Sequence, residues 1–182
     1  ATAPYLFICD GGTVPIGDEV LALLAQWASM PGVAAATAAC LFGNTIDHSG
    51  LAFDADGMTA LPLRGARPDA PVCMYGTVRN VSAVSGAATL VNIAAIRALS
   101  PWPANMQTPL GAFVWLSLSA RTAGWRLVAD RSARAGRMRP FEIPAAMHPG
   151  GEDFSHLVRR FPGLLLGGDP FWPATLRMET RA

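Results

Sequence analysis

Lysine is absent from this 182-residue chain, so its basic side chains are all arginines. Charged residues make up only 15% of the chain against 51% hydrophobic ones, which leaves room for a face that something else covers. The missing lysines argue against a nucleic-acid-binding tail. Cys9, Cys40 and Cys73 form no CxxC pair, which argues against a disulfide scaffold or a thiolate zinc site. A reducing, cytoplasmic compartment fits that usage, with Cys9 and Cys40 expected as small core residues in apolar runs. No run approaches the roughly 18 uninterrupted apolar residues of a transmembrane segment, so any membrane association is expected through a parent protein. His48, His148 and His156 lie far apart without ligand spacing, which makes zinc a poor candidate. No Ser-His-Asp set and no glycine loop carrying lysine is recognisable.

What is present has the length of a single α/β domain spanning 1–182. Its charge is uneven. Residues 1–78 hold seven acids against Arg64 and Arg67, and the remainder holds twelve arginines against six acids. The apolar run from Tyr5 to Cys9 ends on Asp10-Gly11-Gly12-Thr13-Val14-Pro15. This pattern predicts a buried strand delivering Asp10 to a turn, with Pro15 stopping the element. Asp10 then either caps the turn or faces a ligand at the carboxyl end of a strand.

A helix is expected from Asp18 to about Met30, stopped by Pro31-Gly32, then a buried small-residue strand from Val33 to Phe42. Residues 43–50 read as a polar turn. Asp54-Ala55-Asp56-Gly57 begins like a calcium loop, but Gly65 stands where its last acid belongs. The Pro-, Gly- and Arg-rich stretch 57–80 reads as an ordered loop or short irregular strands lying over a cleft. Val84 to Val91 reads as a turn into a strand, and Ile93 to Leu99 as a short helix. Further on come a helix over Ala112 to Ala123, a strand over Trp125 to Ala129 and a short helix over Phe154 to Phe161. The arginine run 131–139 either faces solvent or forms an anion-facing patch. Asp169-Pro170-Phe171-Trp172 leads into the tail.

Taken in order, several of these segments resemble the inverting glycosyltransferases of the GT-A fold, family 2 type. They are Asp10-Gly11-Gly12-Thr13-Val14-Pro15, Pro31-Gly32-Val33, the turn Gly43 to Gly50 with His48, Val84 to Val91, Arg121 to Val128, and Asp169-Pro170-Phe171-Trp172. The resemblance implies a partial GT-A, Rossmann-like mixed sheet flanked by helices, corresponding to the acceptor-side part of such a domain. It implies transfer of a sugar from a nucleotide-sugar to a saccharide or lipid acceptor, with Mg²⁺ or Mn²⁺ held on the diphosphate.

Two positions depart from the family pattern. Gly12 replaces the second acid of the metal motif, leaving Asp10 as a weak metal ligand. Ala112-Phe113-Val114-Trp115-Leu116 replaces the segment whose Asp is the general base, and Phe113 cannot take a proton. A glycosyltransferase-like domain without catalysis by this chain alone is the resulting expectation. The alternative is a non-catalytic saccharide-binding or protein-interaction domain of a larger assembly.

The family's nucleotide half precedes the Asp10 strand, so by the resemblance it is deleted, or carried by another chain or by the rest of a longer polypeptide. Exposed apolar surface is expected to be covered by that remainder or by homo-oligomerisation. By resemblance, His48, Asp169, Phe171 and Trp172 are acceptor or saccharide residues, with the aromatic rings stacking on a sugar face. Read as residues alone, His48 braces its turn, Asp169 starts a turn, and Phe171 and Trp172 anchor the tail.

Overall fold

The computed structural model describes residues 3–70, 77–99 and 105–172, and it is mixed α/β. The tail beyond Trp172, the segment 71–76 of the expected cleft loop with Cys73, and Trp102 lie outside the described residues. Nine strands are β1 (Tyr5–Cys9), β2 (Thr13–Ile16), β3 (Val33–Phe42), β4 (Thr45–His48), β5 (Ala52–Phe53), β6 (Thr59–Ala60), β7 (Val78–Asn80), β8 (Ala88–Asn92) and β9 (Arg126–Arg137) among the described residues. The helices described are α1 (Val20–Ala28), α2 (Ile93–Ala98), α3 (Pro109–Thr122), α4 (Glu152–Arg160) and α5 (Pro162–Leu165). None of them is long and apolar enough to cross a membrane.

The main sheet runs β1-β8-β3-β9-β2, with β4 added to β3 and β7 to β9. β3 and β9 are parallel, whereas β8 is antiparallel to both β1 and β3. The two outermost members, β1 and β2, are consecutive in the chain and joined only by Asp10, Gly11 and Gly12. Such a short link spans roughly 14 Å at full stretch, while five strands laid flat measure about 19 Å across. The sheet therefore curls at this end. The register of β3 against β9 supplies the bend, jumping from Ala38↔Asp130 to Ala39↔Arg134.

Small side chains let helices sit close on both faces. On one, Val20, Leu24 and Ala28 of α1 pack on Ala36, Ala38, Cys40, Ala88 and Ala135. On the other, Ala95, Leu116 and Ala120 of α2 and α3 meet Ala35, Val91, Leu127 and Ala129. A third cluster joins α3, α4 and α5 through Leu110, Val114, Leu118, Leu157 and Leu165. Helix α3 begins earlier than its apolar pattern suggests, because Thr108 caps it and Pro109 fills its first turn. The buried Asp153 carboxylate fixes that cap, accepting from the amides of Gln107 and Thr108 at 2.7 and 3.0 Å and from Thr108 Oγ1 at 2.5 Å.

Several expectations need correction. Pro15 does not stop the chain but lies inside β2, an edge strand where its missing N–H costs no ladder bond. The supposed turn 43–50 contains β4, whose inner residues are buried against β3. The strand expected at Trp125 to Ala129 continues to Arg137, so most of the arginine run is strand, with Arg134 and Arg139 facing solvent and Arg131 not. Alternation along β9 turns Arg134 outward and buries Arg131. Cys40 is buried, and its thiol is pushed up to about 12, chiefly by desolvation. Cys9, at a strand end, is exposed instead.

Candidate functional site

Asp10 stands at the carboxyl end of β1, with its amide held by the Ala87 carbonyl at 3.1 Å. Its Oδ1 accepts from Thr13 Oγ1 at 2.5 Å and from the Gly12 amide at 3.2 Å. Its Oδ2 accepts from Arg137 Nη1 at 2.8 Å. Burial works to raise this carboxyl, but the Thr13 and Arg137 bonds and the arginine's charge outweigh it and hold Asp10 below the usual value.

The same guanidinium reaches a second acid. Arg137 Nε lies 3.2 Å from Asp47 Oδ2, and its side chain is only 5% exposed. Asp47 also accepts from the Phe141 amide at 2.8 Å and faces Arg64 Nη2 at 3.4 Å. Despite its burial, the Asp47 carboxyl is held low by His48, by that amide and by Arg64. The Arg64 that enters here belongs to the expected cleft loop, and it also donates to the Phe141 carbonyl at 2.9 Å.

His48 is fully buried against the Phe141 ring, with centroids 4.5 Å apart. Its Nδ1 lies 3.5 Å from Asp47 Oδ2, and its Nε2 pairs with Ser85 Oγ at 2.8 Å. Desolvation lowers the imidazole's pKa, with Asp47 opposing only in part, so the ring is neutral near pH 7. Sequence reading found no Ser-His-Asp set, yet Ser85, His48 and Asp47 form that series in space. The arrangement is not built for acyl transfer. Ser85 is buried, and its Oγ accepts from the Ala87 amide at 3.2 Å. It ties β4 to the turn before β8.

That turn carries Gly86 at φ +77, where a Cβ would lie 2.2 Å from the Phe113 ring. Phe113 of α3 therefore borders the Asp10 end of the sheet. Trp115 points the other way, edge-on to Phe161 at 5.1 Å.

Of the residues singled out in the sequence, Asp10 and His48 are joined through Arg137 and Asp47. Asp169, Phe171 and Trp172 form a separate arrangement. Asp169 Oδ2 accepts from the Phe53 amide at 3.0 Å and Oδ1 from the Phe171 amide at 2.8 Å, pinning the segment 169–172 to β5. Arg121 covers the Phe171 ring at 5.3 Å, and Arg79 covers the Trp172 ring at 4.7 Å. Arg79 also donates to the carbonyl of Ser49, the neighbour of His48, at 3.2 Å, which links the two arrangements. Missed from the sequence were Asp47, Ser85 and Arg137. Only Arg137 had left a signal, inside the arginine run.

Beside Asp10 opens a cleft of about 340 Å³ lined by Asp10, Gly11, Gly12, Arg137, Met138 and Arg139. Among the described residues no group of three or more His, Cys, Asp and Glu side chains is placed to hold a metal ion. Asp54 instead closes its own loop, accepting from the amides of Asp56 and Met58 at 3.0 and 2.8 Å. Neither a family model nor a curated protein matches the chain.

Proposed function

We propose that the chain is a glycosyltransferase-like domain of the GT-A kind that binds saccharide-bearing ligands without transferring sugar by itself. The observation that carries this reading is the Phe113 ring packed onto Gly86. By the resemblance, this is the helix position of the general base. It lies beside the turn whose Ala87 carbonyl holds Asp10. A phenyl ring there accepts no proton from an acceptor hydroxyl, and no other acid lies in α3 to do so. The open end of the sheet, with Asp10 and its cleft, remains accessible to a ligand.

Within this reading the ligands are a nucleotide-sugar and a saccharide, with Trp172 and Phe171 offering the ring faces that the arginines leave uncovered. The outer edge of β1, where Leu6 is 52% exposed, is where a second copy or a further part of a longer chain would attach.

Incubation with a panel of nucleotide-sugars and acceptors should release no nucleoside diphosphate above background. Saccharide titration should change tryptophan fluorescence saturably, and Trp172→Ala should abolish the change. Multiple-turnover release of diphosphate would overturn the absence of transfer. A fluorescence response absent for every saccharide would overturn the binding and favour an interaction domain.

A further inference from the structure

Gly11 and Gly12 are unexplained by the protein itself. Neither has a positive φ, the usual reason for glycine in a turn. A Cβ on Gly11 would meet nothing within 4 Å, and one on Gly12 would come no closer than 3.9 Å to Asp10 Oδ1. Packing therefore permits side chains at both positions, yet both stay bare on the wall of the Asp10 cleft. Bare main chain facing open space suits a ligand that approaches the backbone closely.

The charge of the cleft says which ligand. Asp10 on the wall and Asp47 behind it contribute two negative charges, while Arg137, Arg139 and Arg64 contribute three positive ones. Asp10 is also poorly disposed toward a cation. Its Oδ1 is taken by Thr13 and Gly12, and its Oδ2 by a guanidinium at 2.8 Å. Asp47, the nearest further acid in the network, is buried and bound to Arg137 and the Phe141 amide. A divalent ion wants six or more oxygens, several of them from the protein or its ligand. The residues present therefore do not fit Mg²⁺ or Mn²⁺. A guanidinium already stands where such an ion would meet Asp10.

We infer that this cleft binds a diphosphate group directly, through Arg137 and Arg139 and in the space that the bare Gly11-Gly12 turn leaves open, with no divalent cation between. Arginine presents a planar fork of donors that matches phosphate oxygens, and its guanidinium is more weakly hydrated than an ammonium group. The choice of diphosphate over other anions rests on the glycosyltransferase-like reading; the preference for an anion over a cation rests on the cleft alone.

The test is calorimetric titration with inorganic pyrophosphate, in EDTA and again in Mn²⁺. Binding in EDTA is expected. Arg139→Ala, at an exposed position, should weaken it about tenfold, the effect of losing one charge-assisted hydrogen bond. Asp10→Asn should tighten it about threefold by removing a like charge. The double variant Gly11→Ala, Gly12→Ala should bind more weakly while melting at the same temperature or higher, an outcome that a purely structural role for the glycines would not give. Heat that appears only with Mn²⁺, or binding abolished by Asp10→Asn, would overturn the inference and leave the glycosyltransferase-like reading intact. No binding in either buffer would overturn it as well. Pyrophosphate binding alongside a failed saccharide titration would instead remove the saccharide reading and keep the anion site.

Discussion

Phe113 lies directly on Gly86, so close that a Cβ at position 86 would intrude to 2.2 Å from its ring. Two separate demands thus fall on one glycine, since its φ of +77 also lies in the left-handed region. An alanine there should cost about 1–2 kcal/mol for the backbone and about 1–3 kcal/mol more for overpacking. Urea unfolding of Gly86→Ala reads the sum. In the double variant with Phe113→Ala the steric part should vanish while the backbone part stays. Strict additivity of the two changes would show that the ring does not press on the glycine.

Arg137 should be the least replaceable charge in the molecule. It serves Asp10 and the buried Asp47 at once, and its own side chain is nearly covered. Arg137→Met removes the partner but leaves the Asp47 carboxylate in place, a change that costs about 3–5 kcal/mol in buried pairs. Adding Asp47→Asn removes the stranded charge and should recover a large part of the loss. Thermal melts of the single and double variants decide it. A single variant as stable as the parent would mean that Arg64 and His48 suffice for Asp47.

How much of this arrangement the sequence disclosed depends on the reach of the forces involved. Local ones were legible. The apolar run Val33 to Phe42, the helix at Ile93 and the stop at Gly124 follow from residue type and spacing, and all appear where expected. Asp10 at a strand end was legible for the same reason. The network around it was not. Arg137 pairs with an acid 127 positions away, and nothing in the run 131–139 marks which arginine turns inward. That choice is made by the alternation of β9 and by the bend between Ala38 and Ala39, both fixed by pairing with β3. Ser85 and His48 meet only because the turn before β8 and strand β4 flank the same side of β3.

Acid should destabilise the fold in two stages. His48 is fully buried, and desolvation depresses its pKa below the ordinary 6.5. The groups facing it are Asp47, Ser85 and the Phe141 ring, with Arg137 and Asp10 acting at longer range. Above 6.5 the ring is neutral folded or unfolded, so nothing is lost. As pH falls below 6.5 the unfolded chain takes up a proton that the folded one refuses. Stability then declines at up to about 1.4 kcal/mol per pH unit until the folded pKa is reached. Asp10 and Asp47 are depressed below the ordinary 3.8, so their stabilisation is present above 3.8 and lost as pH falls through their folded values. Urea midpoints measured from pH 8 to 3 should show both declines. His48→Gln should abolish the first and keep the second; an unchanged first decline would assign it to another group.

Asp169 should govern the segment 169–172 rather than the cleft. Its two oxygens accept from Phe53 and Phe171, so one carboxylate fastens the last described segment to β5. Asp169→Ala leaves the Phe53 amide without this partner, a loss of about 1–3 kcal/mol if it stays buried. The amide belongs to Phe53, a member of the third core cluster that is 1% exposed, so the penalty should be real but local. Release of the segment would also free Trp172 from the Arg79 guanidinium. The difference in tryptophan emission between Asp169→Ala and the parent should then be a red shift, and it should disappear when Trp172→Phe is present in both. Pyrophosphate binding at Asp10 should be unchanged in Asp169→Ala, because the contacts of Asp10 run through Arg137 and Thr13 and not through the tail. A joint loss of both signals would mean that the two arrangements act as one site through Arg79 and Ser49.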